Sequence, residues 1–158
     1  MNNFNLLYRF FLIFIFLAGM LGCSEIVRAE NSFETLTIRT VTGKEINYQI
    51  EIADTDETRR RGLMYRMEMP TNQGMLLDFG SAQKVAIWMK NTYLPLDIIY
   101  IDTAGIITKI VPDAVPHSTA TMNSDSRVRA VLEVNAGQTV YHGISVGDHA
   151  IYRAFKAD

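Results

Sequence analysis

The chain has 158 residues, 48% of them hydrophobic and 20% charged, with a formal net charge of −2. That length suffices for one domain of ordinary size, and the acidic balance argues against a nucleic-acid partner, which needs a basic stripe. A single cysteine, Cys23, leaves no partner for an intramolecular disulfide, so the fold must rest on packing.

The N-terminus reads as a targeting signal. Arg9 closes a short basic region, and Phe10 to Leu21 is an apolar run of signal-core length, short for a helix that spans a bilayer. Two processing outcomes compete. Cleavage after Ala29 would make residues 1–29 a signal peptide and 30–158 a single β-rich domain. Met20-Leu21-Gly22-Cys23 is instead a degenerate lipobox, which would make residues 1–22 a lipoprotein signal and Cys23 the lipidated residue. An uncleaved anchor is a third alternative. Each version places the remainder in the periplasm or outside the cell, lipid-anchored to the outer membrane in the second case. Contact with a membrane is then expected only through the signal or the lipid. Removing residues 1–29 takes Arg9, Arg28 and Glu25 from totals of 15 basic and 17 acidic residues, which leaves a net charge of about −3.

Residues 33–42 alternate apolar and polar positions, and residues 45–53 (EINYQIEIA) do so again around a turn at Gly43-Lys44. The pattern predicts two half-buried strands in a hairpin. Asp54 with Glu57 three residues on is a capping-box-like start, so residues 57–61 suit a short helix that Gly62 would end. Its Arg59-Arg60-Arg61 run reads as a solvated face. GMLLDF, KVAIWM, LDIIYID and IITKIV read as four more strands. Residues 112–126 are rich in Pro, Ser, Thr and Asn and read as a long surface loop. A strand at RVRAVLEVN, a single helical turn at GQTVYHGI and a last strand at HAIYRAF complete the chain. Eight strands against one short helix predict a mainly β domain, rolled or barrel-like, with antiparallel or mixed pairing.

Five motifs in order carry a family resemblance: Arg61-Gly62-Leu63-Met64, Gly74-Met75-Leu76, Trp88-Met89-Lys90-Asn91-Thr92, Pro95-Leu96-Asp97-Ile98 and Val131-Leu132-Glu133. Together with Gly137 and Gly147-Asp148 they resemble the domain of unknown function 192 family, found in bacteria and archaea and often exported. Leu77 departs from that pattern, where an aromatic is frequent. The resemblance implies a small, mostly β fold and brings no assigned activity.

The residues themselves suggest three chemistries. Arg61, Lys90, Asn91, Asp97 and Glu133, with Asp148, could converge at one rim, with Met64 and Trp88 nearby. A cation beside two carboxylates could bind a zwitterion or sugar hydroxyls, or poise a carboxylate for acid–base work. The bland alternative is that Asp97 or Glu133 pairs with Arg61 or Lys90 to lock loops. Met64, Met67, Met69, Met75 and Met89 could hold Cu(I), although methionine usually fills irregular core gaps. Trp88 and Tyr93 could stack on a sugar ring, although Trp88 would alternate into the core if Ile87 and Met89 faced outward. His117, His142 and His149 have no metal-ligand spacing, and no nucleophile elbow or phosphate-cradling loop is present.

These observations favour an exported cell-envelope module that binds a small polar molecule or an envelope glycan through Arg61, Met64, Trp88, Lys90, Asn91, Asp97 and Glu133. The alternatives are a hydrolase or lyase using Asp97 or Glu133 with Lys90, and a Cu(I)-handling protein. No cofactor and no metal site is expected in the favoured reading, and the sequence sets no oligomeric state.

Overall fold

In a computed structural model, residues 32–155 are described. The signal reading, the cleavage position and Cys23 fall outside the described residues. The fold is mostly β, with 45% strand and 9% helix, in a curled seven-stranded half-barrel, as the alternating pattern predicts. Its strands are β1 (Glu34–Arg39), β2 (Glu45–Ala53), β3 (Gln73–Gln83), β4 (Ala86–Ile87), β5 (Leu96–Ile101), β6 (Ile107–Ala114), β7 (Met122–Asn123), β8 (Val128–Asn135) and β9 (His149–Ile151). The large sheet runs β6-β5-β8-β3-β2-β1-β9, and β4 pairs with β7 in a separate two-stranded ribbon.

Two short helices stand where one and a helical turn were expected: α1 (Asp56–Arg61) and α2 (Gln138–His142). The α1 capping box lies one residue later than the Asp54–Glu57 reading. Thr55 is the cap, and its side chain and that of Thr58 satisfy each other's backbone N–H groups. Residues 112–126 are not a free loop. They finish β6, supply β7 and hold Met89 and Val85 in place, the Ser118 carbonyl accepting from Met89 N–H and Ser124 Oγ from Val85 N–H.

All pairings in the large sheet are antiparallel except β2 with β3, which run parallel. Parallel neighbours cannot be joined by a tight turn; they need a crossover of a dozen or more residues. Residues 54–72 are that crossover, and they carry α1 and the methionine-rich segment across one face of the sheet.

The central strands β5 and β8 are therefore covered on both sides. Leu76, Ile99, Leu132 and Val134 face the inside of the roll with Leu36, Tyr48 and Ile50. Met75, Leu77, Ile98, Tyr100 and Val131 face the opposite way, under Leu63 and Met69 of the crossover and Val85, Ile87 and Met89 around β4. Burial on both faces explains why LDIIYI reads as a nearly unbroken apolar run.

The sheet edges meet at one end. Ile106 bridges His149, Ile107 N–H donates to the Asp148 carbonyl and Ala150 N–H donates to the Gly105 carbonyl at 2.7 Å. Gly105 has φ +88°, and a Cβ there would run into the Ala150 carbonyl and the His149 ring. Both its backbone angle and its surroundings exclude a side chain. Gly105→Ala is expected to lose about 2 kcal/mol or more in urea unfolding, and a loss under about 0.5 kcal/mol would show that the closure is not under this constraint.

Candidate functional site

The crossover and the β4–β7 ribbon cover the same sheet face but do not meet everywhere. Between them lies a hollow of about 310 Å³, with Glu133 of β8 among the lining residues along with Arg61, Gly62, Leu63, Met64, Ile87, Trp88 and Thr92. An adjoining, more open hollow shares Arg60, Arg61, Met64 and Trp88 and adds Glu57, Lys90 and Asn91. Six of the seven residues singled out in the sequence thus line one connected depression.

Glu133 is the unusual member. It stands between Met75 on β3 and Ile98 on β5, both apolar and buried. Only 5% of the residue is exposed, and among the described residues its carboxyl has neither a hydrogen bond nor an ion pair. Burial alone pushes its pKa up to about 7, since no nearby cation offsets the loss of hydration. The alternative in which Glu133 pairs with Arg61 or Lys90 is therefore corrected by the geometry. Beside the carboxyl lies Gly62, which ends α1 with φ +46° and ψ −134°. A Cβ at that position would lie 3.7 Å from Glu133 Oε2, at van der Waals contact, so the turn packs close beside the carboxyl.

The mouth is cationic. Arg60, Arg61 and Lys90 have no carboxylate partner among the described residues, whereas Arg59 is tied to Asp56 and to the Asp54 and Asp78 carbonyls. Trp88 does not alternate into the core as one reading of the sequence had it. Ile87 and Met89 are the buried pair, and Trp88 is 43% exposed, with Lys90 Nζ 5.4 Å from its ring centroid. The reason is local: the short β4 strand sends Ile87 into the second core cluster, which turns its neighbour outward.

Two strained residues tie the walls together. Tyr65 (φ 62°) and Asn91 (φ 55°) both adopt left-handed backbone. Tyr65 N–H donates to the Asn91 carbonyl and Asn91 Nδ2 donates to Tyr65 Oη, each at 2.9 Å. Such reciprocal bonds hold a conformation that costs of order 1–3 kcal/mol per residue when unsupported. On the far side of the crossover Arg66 is held by both oxygens of Glu51, at 2.6 and 2.9 Å.

Asp97 is not part of this site, which corrects its expected convergence with Lys90 and Glu133. It pairs in register with Val134, whereas Glu133 pairs with Ile98. The two carboxylates therefore lie on opposite faces of the sheet, one residue out of phase. Asp97 is fully buried and accepts four hydrogen bonds, from Asp113 N–H (3.0 Å), Gly137 N–H (3.2 Å), Thr139 N–H (2.9 Å) and Thr139 Oγ1 (2.7 Å). Because α2 has no capping side chain of its own, Asp97 caps it from β5. Asp148 is likewise internal and accepts from Val41 N–H and Ser145 N–H. A two-carboxylate hydrolase built from Asp97 and Glu133 has no common face to work on.

The methionines also separate. Met69, Met75 and Met89 are buried in the core, and of the five only Met64 and Met67 are not. Two of those five sulfurs at most are open to Cu(I), which falls short of the proposed methionine cluster. The histidines are apart too: His117 packs edge-on against Tyr93, His142 against Tyr48 and Tyr141, and His149 bonds the Ala104 carbonyl. Among the described residues no cluster of three His, Cys, Asp or Glu side chains could hold a metal ion.

Residues 37–151 match the model of the domain of unknown function 192 family (DUF192), described as an uncharacterised ACR. The chain belongs to this family. A crystal structure of a candidate transcription regulator from Sinorhizobium meliloti 1021 is similar at 42% identity and TM-score 0.75, over 77% of this chain and 94% of that one. A protein of unknown function from Novosphingobium aromaticivorans DSM 12444 is similar at 29% identity and TM-score 0.73, over 76% and 85%. No curated protein matches the chain.

Two stability outcomes follow from the carboxylates. Glu133 is raised from 4.5 to about 7 in the folded state. Its folded form therefore loses stability relative to the unfolded chain as pH rises from about 4.5 through 7, by about 3 kcal/mol in all. Glu133→Gln is expected to unfold at higher urea than the parent protein at pH 8.5 and to lose that advantage at pH 4; equal midpoints at pH 8.5 would contradict the burial. Asp97→Ala, which strands three buried or half-buried backbone donors, should cost about 3 kcal/mol by the same measurement, against under 1 if its bonds were dispensable.

Proposed function

We propose that this DUF192 protein is an exported cell-envelope module that binds a small polar molecule or a glycan unit in the hollow over β8. One observation carries the reading. Unpaired cations, an exposed indole and an unpartnered carboxyl line one connected depression, although a surface cation or a buried carboxyl is ordinarily paired or solvated elsewhere. Such a concave site with a few convergent polar groups is the usual form of a small-ligand pocket.

Export is supported by Arg9, the Phe10–Leu21 run and the small residues before Cys23 and Glu30. The net charge of −2 does not favour nucleic acid, so the regulatory role in the name of the Sinorhizobium protein is not carried over. An accessory role also fits a single-carboxyl site better than the glycosidase arrangement, which needs two carboxyl groups flanking the bond.

Trp88→Ala and Lys90→Ala change exposed side chains and are expected to leave the ligand-free melting temperature within about 2 °C of the parent. In a thermal-shift screen of sugars, amino acids and small organic acids, both should abolish the shift given by the best compound. A shift that survives in both variants places binding elsewhere, and a screen with no stabilising compound removes the reading. Mass spectrometry of the chain recovered from a Gram-negative envelope should find residue 30, or acylated Cys23, at the N-terminus; an intact Met1 would remove the export reading.

A further inference from the structure

We propose that the ligand of this hollow is an acidic sugar of the uronate type, its carboxylate held by Arg61 and Lys90 at the mouth, its ring against Trp88, and a hydroxyl meeting the Glu133 carboxyl on the wall formed by β8. The inference rests on the binding role proposed above and names its substrate class.

Charge comes first. The chain as a whole is acidic, yet the mouth presents Arg60, Arg61 and Lys90 without a carboxylate partner among the described residues. Asp56, which lines the inner hollow, is already bound to Arg59, and Glu57 is one carboxylate at the mouth against three cations. An excess of free cations at the entrance of an acidic domain selects an anion, and guanidinium matches a carboxylate in two-point geometry.

Shape and chemistry narrow the anion. Lys90 covers the Trp88 ring at 5.4 Å, so an anion bound at the ammonium lies beside an aromatic surface, and an indole has a second face to offer a sugar ring. The inner volume of about 310 Å³ sits at the small end of ligand pockets, roughly 300–1,000 Å³, and suits a single sugar residue. Deeper in the hollow, with Thr92, lies Glu133, set among Met75, Ile98 and Leu63 and beside Gly62. A lone carboxyl in an apolar cradle discriminates strongly for a ligand that supplies its missing hydrogen bond.

The state of Glu133 makes this selection depend on pH. Its charged neighbours around the hollow are Asp56, Glu57, Arg59, Arg60 and Arg61 on α1 and Lys90 beyond β4. From β5 comes Tyr100, whose own ionisation is opposed first by burial and then by the Glu133 charge, while β3 turns the apolar Met75, Leu77 and Phe79 to this face. Burial holds the carboxyl near the midpoint of its titration at pH 7. An anionic ligand lodged beside it favours the neutral form, so binding and protonation reinforce each other.

Isothermal titration of the purified full chain with glucuronate, galacturonate, glucose, acetate and inorganic phosphate, at pH 6 and pH 8.5, tests the idea. At least one uronate is expected to bind at pH 6 tenfold or more tighter than glucose, acetate or phosphate, and to weaken about tenfold at pH 8.5. Arg61→Ala should remove the preference for uronate over glucose, and Glu133→Gln should reduce the pH effect below twofold. Glucose binding as tightly as the uronates, or acetate or phosphate matching them, overturns the acidic-sugar assignment but leaves the hollow a binding site. Uronates that fail to bind while another screened compound is lost in Trp88→Ala do the same. A pH effect that persists in Glu133→Gln also overturns it, because the titrating group would then be elsewhere.

Discussion

Strands β2 and β3 lie side by side and point the same way, in a sheet where every other pairing is antiparallel. The chain must therefore travel back across the sheet between them, and residues 54–72 do so over one face only. That passage supplies α1, the Gly62 turn, and Leu63 and Met69 of the second core cluster. Had β2 and β3 been a hairpin, β8 would face water on that side and Glu133 would be an ordinary solvated carboxylate. The crossover makes the central strands buried on both faces, and it makes the Glu133 position electrostatically costly.

The β4–β7 ribbon completes the enclosure from the other side. It is only two residues long on each strand, too short to hold itself, and it leans on Ile87 packing and on contacts from the 115–124 segment. The Tyr65–Asn91 exchange then joins crossover to ribbon across residues held at positive φ. The depression is thus bounded by two covering segments that are braced against each other, with a rigid central strand beneath. The floor of the depression is a central strand, while its cationic mouth is made of long exposed side chains.

Asp97 and Glu133 show how similar residues acquire opposite roles. Both are buried acids on central strands, and neither has a cation. Asp97 points into the roll, where three backbone N–H groups and a hydroxyl satisfy it and where it caps α2. Glu133 points to the covered outer face, where Met75, Ile98 and Leu63 offer it nothing. The first is satisfied within the fold, and the second has no hydrogen-bond partner among the described residues. One residue of sheet register separates the two outcomes.

Sequence periodicity alone was enough for the β-rich class, the β1–β2 hairpin and the short helix ended by Gly62, because these depend on patterns spanning a few residues. The motif set around Arg61, Trp88, Lys90 and Glu133 likewise marked six residues that share the depression. Other features depend on distant partners and only the tertiary structure decided them. The parity of Asp97 against Glu133 follows from the β5–β8 register, the outward turn of Trp88 from core packing of Ile87 and Met89, and the scattering of the methionines from their places in two covering segments. Local chemistry names which groups are present; which of them are left without a partner is settled only when strands far apart in the chain come together.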